Sequence, residues 1–329
     1  MAIEEISGEP SLLEPLPAEI TSIQPGGGAC MRLELAWGTC RRWYLKRFRP
    51  RFVARMLETR QGEANACPHE VLDPRDVKFF RNQGGYYWAA ADDPFDWRNR
   101  LPFARVGLAE LILLGGLLLL FTAVFALVFW PLAIGFALAG LGVVWFFRDP
   151  ERKIPGEPGA VVSPADGRIV AVEEVVDESV GGEAVLIGIF LSIFNVHLNR
   201  APVEARVVGL RYRRGKFLNA VRPASARENE RMEVLFEQIG FRGRRMVVRQ
   251  IAGAIARRIV CWIAPGEVAG RGERFGMIKL GSRTELVLPR EEGLEILVSA
   301  GQKVKAGSSI LARYSADETP GGESAAGGA

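Results

Sequence analysis

The sequence predicts a mainly β domain, of β-sandwich or barrel-sandwich type with one or two helices, set behind an α-helical membrane hairpin. Three observations predict it. Residues 111–147 run for 37 positions without a charge. Residues 151–316 break into short runs rich in Val, Ile and Leu, punctuated by Gly and Pro. Within that half, only residues 228–238 read as helical.

The elements follow in order. Residues 1–28 hold Pro10, Pro15, Pro17, Pro25 and the run Gly26-Gly27-Gly28. So little apolar surface predicts disorder. No cleavable signal peptide is expected, because the first 25 residues are acidic and Pro-rich. Four cysteines, at 30, 40, 67 and 261, are scattered, which indicates a reducing compartment rather than a disulfide framework.

Residues 29–98 form a basic and aromatic extension. Its window 41–55 has seven basic residues, four aromatics and no acid. An anionic membrane surface suits such a stretch, at about 1 kcal/mol per basic residue. Nucleic acid would accept the same residues; the reading adopted is a membrane and no nucleic acid. Cys30, Cys40, Cys67 and His69 offer a Cys₃His zinc set, against which the spacing argues, so no metal is expected.

The hairpin comes next, over residues 99–150. One helix needs about 20 residues to cross a bilayer core, so 37 apolar positions fit two short arms turning at Trp130-Pro131. Pro131 cannot continue the first helix, and Trp130 suits an interface. The arms fit two full spans or a hairpin that dips in without crossing. Arg98, Arg100 and Arg105 precede the run; Arg148, Arg152 and Lys153 follow it. The positive-inside rule therefore puts both ends in the cytoplasm, and an even number of spans demands the same. The expected location is the cell (inner) membrane with the β domain cytoplasmic.

In the β domain, residues 298–312 read as strand, Gly turn, strand. Together with Ser163-Pro164-Ala165-Asp166-Gly167-Arg168-Ile169-Val170, they resemble the hammerhead repeat of biotinyl and lipoyl carrier domains. No carrier lysine follows, so this resemblance bears on fold alone. Residues 317–329 are a Gly/Ala-rich tail, expected to be disordered.

The chemistry centres on Gly281-Ser282. A serine hydroxyl can attack the preceding carbonyl when that peptide is bent, turning the amide into an ester. Glycine suits the preceding position because it tolerates φ > 0. Elimination and hydrolysis would leave a pyruvoyl group, a ketone able to form a Schiff base with an amine and act as an electron sink. Gly-Ser alone is most often a plain turn.

Its neighbours change this. Arg274-Phe275-Gly276-Met277-Ile278-Lys279-Leu280-Gly281-Ser282-Arg283 resembles the cleavage site of phosphatidylserine decarboxylases, in the short bacterial and archaeal branch with Gly-Ser-Arg. Phe147-Arg148-Asp149-Pro150-Glu151-Arg152, Val162-Ser163-Pro164-Ala165-Asp166-Gly167 and a segment from Phe190 to Val203 match in the same order. The resemblance covers about residues 105–314. It implies self-cleavage at Gly281-Ser282 into chains 1–281 and 282–329, held as a heterodimer. A pyruvoyl group from Ser282 would convert phosphatidylserine to phosphatidylethanolamine and CO₂.

The resemblance also implies roles. Asp166 belongs to the processing machinery, orienting or assisting the base; by itself it reads as a turn aspartate. His197, the sole histidine of residues 151–329, is the proton donor or base; by itself it reads as a satisfied strand-end histidine. Many members carry a second histidine where this chain has Arg200. An arginine is no base at neutral pH. Either His197 serves both steps, or Asp166 acts on Ser282 more directly. Arg200 suits a carboxylate or phosphate.

Residues 206–258 hold 14 basic and 4 acidic residues. Arg211, Arg213, Arg214 and Lys216 are candidates for a rim that attracts an anionic lipid. Two other readings are kept: a non-catalytic membrane adaptor with a hammerhead-like β domain, and a decarboxylase of another serine-headed, ether-linked lipid.

Overall fold

A computed structural model describes residues 12–20, 22–61, 71–72, 88–219, 223–241, 243–254, 258–279 and 281–315. The tail at 317–329, Cys67 and His69 lie outside the described residues.

Residues 12–20 and 22–28, where composition predicts disorder, pack on the β domain instead. Ile20 and Ile23 are buried. The Glu14 N–H donates to the Val208 carbonyl at 2.7 Å, and the Cys261 N–H donates to the Ile23 carbonyl at 2.8 Å. Prolines do not forbid this, because a segment laid along a sheet makes only occasional backbone bonds.

Helix α1 (Ala29–Phe48) is followed at once by α2 (Pro50–Glu58), whose first turn tolerates Pro50. Leu45 and Met56 bury against Val71, Leu72 and Trp88. The outer side of α1 leaves Leu33, Trp37, Trp43, Tyr44 and Phe48 exposed.

Helices α3 (Leu108–Val128) and α4 (Trp130–Phe146) carry the uncharged run. The chain breaks between them at Phe129, which is extended, and Pro131 lies in the first turn of α4. Phe136 packs on Phe121 and Phe125 with ring centroids 5.2 Å apart. At 1.5 Å per residue, α3 is about 31 Å long and α4 about 26 Å. By length and composition, α3 is long and apolar enough to cross a membrane. At their base, the Ala104 N–H donates to the Phe147 carbonyl and the Asp149 N–H to the Pro102 carbonyl.

Among the described residues fourteen strands follow. They are β1 (Ala160–Val162), β2 (Gly167–Asp177), β3 (Gly182–Leu191), β4 (Leu198–Arg200) and β5 (Ala205–Arg213). After α5 (Pro223–Glu228) come β6 (Arg231–Gln238), β7 (Arg245–Ile251), β8 (Ile259–Cys261), β9 (Val268–Ala269) and β10 (Arg274–Ile278). The last are β11 (Ser282–Pro289), β12 (Leu294–Ile296), β13 (Lys303–Val304) and β14 (Ile310–Tyr314). The fold is mainly β, as expected. The expected helix over 228–238 is corrected: most of it is β6, and the helix ends at Glu228. Met232, Val234 and Phe236 alternate with Glu233 and Glu237, a period of two that outranks helix propensity.

The large sheet has the order β13-β2-β3-β11-β7-β6-β5-β9; the small sheets are β1-β14-β12 and β4-β10-β8. Ile187, Ile189, Val234, Phe236, Leu286 and Leu288 of the large sheet bury against Val161, Ile259, Phe275, Ile278 and Leu311 of the small ones. The two hammerhead-like segments interlock. Strand β13 pairs with β2, β14 pairs with β1, and the Ser163 N–H donates to the Ser309 carbonyl.

Candidate active site

The chain leaves a small sheet for the large one between Ile278, the end of β10, and Ser282, the start of β11. Three residues make that crossing, and Gly281 takes φ +63° to do so. L-residues with a Cβ avoid this region. Ser282 is fully buried, and among the described residues its Oγ has no hydrogen-bond partner. A buried hydroxyl left unbonded is unusual and costly.

His197 sits against this turn. Its Nε2 accepts the Gly281 N–H at 3.2 Å, and its Nδ1 lies 2.9 Å from the Asn195 carbonyl. A carbonyl only accepts, so Nδ1 carries the hydrogen and Nε2 the lone pair. The neutral ring alone makes both bonds. Its pKa falls from 6.5 to about 4 because burial disfavours the cation, and the Arg148 charge adds to this. The Phe146 ring, at the end of α4, covers the imidazole at 4.6 Å.

The site is braced from several elements that the sequence did not reveal as partners. Asn199 Nδ2 donates to Thr284 Oγ1 at 3.0 Å, and Gln250 Nε2 donates to Asn199 Oδ1 at 2.9 Å. These buried amides tie β4, β7 and β11 together two residues from Ser282. Lys279 Nζ bonds the Glu110 carboxylate and the Val106 carbonyl, fastening the end of β10 to the first turn of α3. Arg283 faces the other side of the sheet, where its Nε donates to Glu285 Oε1 at 2.8 Å. Gly188 makes room for it: a Cβ there would meet Arg283 Nη2 at 2.8 Å.

Asp166 and His197 are not bonded to each other. Arg152 Nη2 donates to both Asp166 oxygens, at 2.9 and 2.8 Å, and the Ala306 N–H donates to Oδ1 at 2.8 Å. The carboxylate therefore joins the linker after α4 to the two hammerhead-like segments.

Arg200 is buried, donates to the Gly272 carbonyl at 2.8 Å, and lies 3.6 Å from Asp149, which also pairs with Arg274 at 3.0 Å. Burial lowers the Arg200 pKa to about 10 and raises that of Asp149. Arg152, Arg200, Arg274 and Asp149 line a cavity of about 540 Å³ between the segments that flank the helix pair and the small sheet of β4 and β10.

The candidate rim lies elsewhere. Arg211 belongs to β5, three strand spacings from β11, or roughly 14 Å. It pairs with Glu14, and Lys216 pairs with Glu228. Arg213 and Arg214 are exposed. Cys40 is exposed, and among the described residues no group of three or more His, Cys, Asp or Glu could hold a metal.

Residues 140–312 match the family model described as phosphatidylserine decarboxylase. A protein of Rhodopirellula baltica named phosphatidylserine decarboxylase proenzyme is 56% identical over 238 residues, 72% of this chain and 99% of the relative. Proteins of the same name from Symbiobacterium thermophilum and Nitrosomonas europaea are 49% and 45% identical, over 55% and 56% of this chain and 84% of each relative.

Proposed function

The chain belongs to the phosphatidylserine decarboxylase family, and on that premise we propose that it is a self-cleaving, pyruvoyl-dependent decarboxylase of phosphatidylserine. One observation carries the reading: Gly281 is bent, Ser282 holds a buried, unbonded hydroxyl, and His197 Nε2 is bonded to the Gly281 N–H of the same turn.

The cleavage follows from these residues. Ser282 Oγ attacks the Gly281 carbonyl carbon. The C–N bond breaks, the Gly281 acyl group passes to Oγ, and the proton lost by Oγ ends on the Ser282 nitrogen. Elimination then takes the Cα proton of Ser282 and expels the Gly281 carboxylate. Water completes the conversion, releasing ammonia. His197 is neutral at pH 7 and carries its lone pair at Nε2, so it is the proton acceptor of these steps. Asp166, engaged by Arg152 and Ala306, positions the linker and the β1–β2 turn. Arg200 is a structural cation on Asp149 and no base.

The residues fit a pyruvoyl group at position 282: Ser282 is fully buried, and Phe146 covers the neighbouring His197 ring. Once formed, that ketone supplies the electron sink that lets a serine carboxylate leave as CO₂. His197 is the proton carrier for this reaction too. The chain 282–329 starts with β11, which pairs with β3 on one side and β7 on the other. This supports a lasting heterodimer of the two products. Helices α3 and α4 insert as a hairpin from the cytoplasmic face, and exposed Arg213 and Arg214 draw the domain to anionic lipid.

Denaturing electrophoresis of the purified chain tests the reading. A fragment matching 282–329 with a blocked amino terminus is expected, and Ser282→Ala abolishes both fragment and CO₂ release. An intact, full-length wild-type chain refutes it.

A further inference from the structure

The turn between β3 and His197 carries two consecutive apolar side chains at its tip, Ile193 and Phe194, of which Phe194 is 70% exposed. The tip is rigid. Asn195 Oδ1 accepts from both the Ser192 N–H and the Ser192 hydroxyl, at 2.9 and 2.7 Å, and the Asn195 N–H donates back to the Ser192 carbonyl. Nothing within the described fold covers Phe194, although a soluble domain gains by burying such a ring.

Its neighbour is the end of α4. The Trp145 indole N–H donates to the Phe194 carbonyl at 3.1 Å, and Arg148 Nη2 donates to the same oxygen at 3.0 Å. Arg148 also stacks over the Trp145 ring at 3.9 Å. Exposed Leu138, Leu141 and Trp145 lie at i, i+3 and i+7 along α4, so one apolar stripe runs down the helix and ends at Phe194. At its other edge the tip meets the cleavage turn: a Cβ on Gly281 would find Ile193 Cγ2 at 4.0 Å.

We propose that the Ile193–Phe194 tip is an interfacial lip. It seats in the boundary between head groups and acyl chains of the bilayer that holds α3 and α4, and so opens the Gly281-Ser282 site at head-group level. The proposal rests on the membrane insertion proposed above. The occupant is lipid because the tip continues the apolar surface of α4 and is flanked by a tryptophan and an arginine, the residues that suit an interface. Its consequence is substrate selection: a diacyl lipid in the bilayer plane reaches the site without leaving the membrane.

The test uses the full chain in phosphatidylcholine vesicles. Substrate is either long-chain phosphatidylserine in the same bilayer or dihexanoyl phosphatidylserine dissolved as monomers. The double variant Ile193→Ser/Phe194→Ser is expected to self-cleave normally. It should lose at least tenfold in CO₂ release from the bilayer substrate and stay within about twofold on the soluble one. Phe194→Trp restores the bilayer activity. Equal losses on both substrates, or no loss on either, overturn the proposal. A second readout needs no activity: the emission added by Phe194→Trp is quenched by lipids brominated near the head of the chain. Added emission that lipid leaves unquenched, or that changes with protein concentration as a second copy binds, overturns the lip. A wild-type chain that releases CO₂ from neither substrate refutes the decarboxylase reading, while the quenching result still decides the lip.

Discussion

The bond between Lys279 and Glu110 links α3 to the Gly281-Ser282 turn, and breaking it has a calculable effect. Lys279 lies two residues before Gly281, and Glu110 lies in the first turn of α3; their side chains are 6% and 8% exposed. Replacing Glu110 with Ala removes the carboxylate that faces the Lys279 ammonium in the interior, while the Val106 carbonyl stays at 3.3 Å. Removing one partner of a buried pair costs about 3–5 kcal/mol, whereas replacing both with apolar groups of similar volume is often neutral or stabilising. Glu110→Ala should therefore lower Tm by roughly 6–20 °C, taking 2–4 °C per kcal/mol for a larger domain. Glu110→Leu/Lys279→Met should recover most of that loss. Self-cleavage separates position from stability. The double variant is stable but no longer fastens β10 to α3, so the 282–329 fragment should accumulate more slowly than in the wild type. Thermal melts in detergent and time-resolved gels read the two effects. A double variant as unstable as Glu110→Ala, or a single variant with unchanged Tm, would refute the argument.

Other outcomes follow from the same contacts. His197 is held neutral down to about pH 4 instead of 6.5, which is worth roughly 3 kcal/mol. The unfolded chain binds the extra proton in that window, so this stability is complete above pH 6.5 and is lost as pH falls toward 4; His197→Phe should flatten that slope in acid titration melts. Asp166→Asn removes one partner of the buried pair with Arg152 and should lower Tm while the fragment still forms; blocked cleavage at an unchanged Tm would return Asp166 to the proton path. Gly281→Ala meets no atom closer than 4.0 Å, so its effect is backbone strain of about 1–2 kcal/mol. It should slow fragment formation roughly 5- to 30-fold without unfolding the chain. Charge reversal of Arg213 and Arg214 should weaken binding to anionic vesicles at low salt and leave it unchanged at high salt.

The site was legible in sequence as far as local chemistry carries. Gly281 announces a left-handed turn because only its lack of a Cβ makes φ +63° cheap, and the order of Asp166, His197 and Gly281-Ser282 places three motifs in one domain. The alternation that makes β6 a strand was also present, but Glu228, Glu230 and Glu233 pulled a short window toward helix until tertiary pairing with β5 and β7 decided it. Residues 12–28 misled for a related reason: a Pro-rich composition counts the chain's own apolar content and cannot count a groove supplied by strands 200 residues away. What sequence could not assign is partnership. The family pattern puts Asp166 beside His197 or Ser282 in the processing machinery without saying which it contacts. Yet the carboxylate is taken by Arg152, 14 residues earlier, and by the amide of Ala306, 140 residues later. Spacing along the chain says nothing about which side of a sheet interface a turn faces. This has a chemical consequence. A histidine backed by a carboxylate is biased toward its cation, whereas His197 has only the Asn195 carbonyl, whose pull toward the cation is outweighed by burial under the Phe146 ring. The imidazole beside Gly281 is thus kept neutral mainly by burial rather than by a charge partner, and Arg200 faces Asp149 and the cavity.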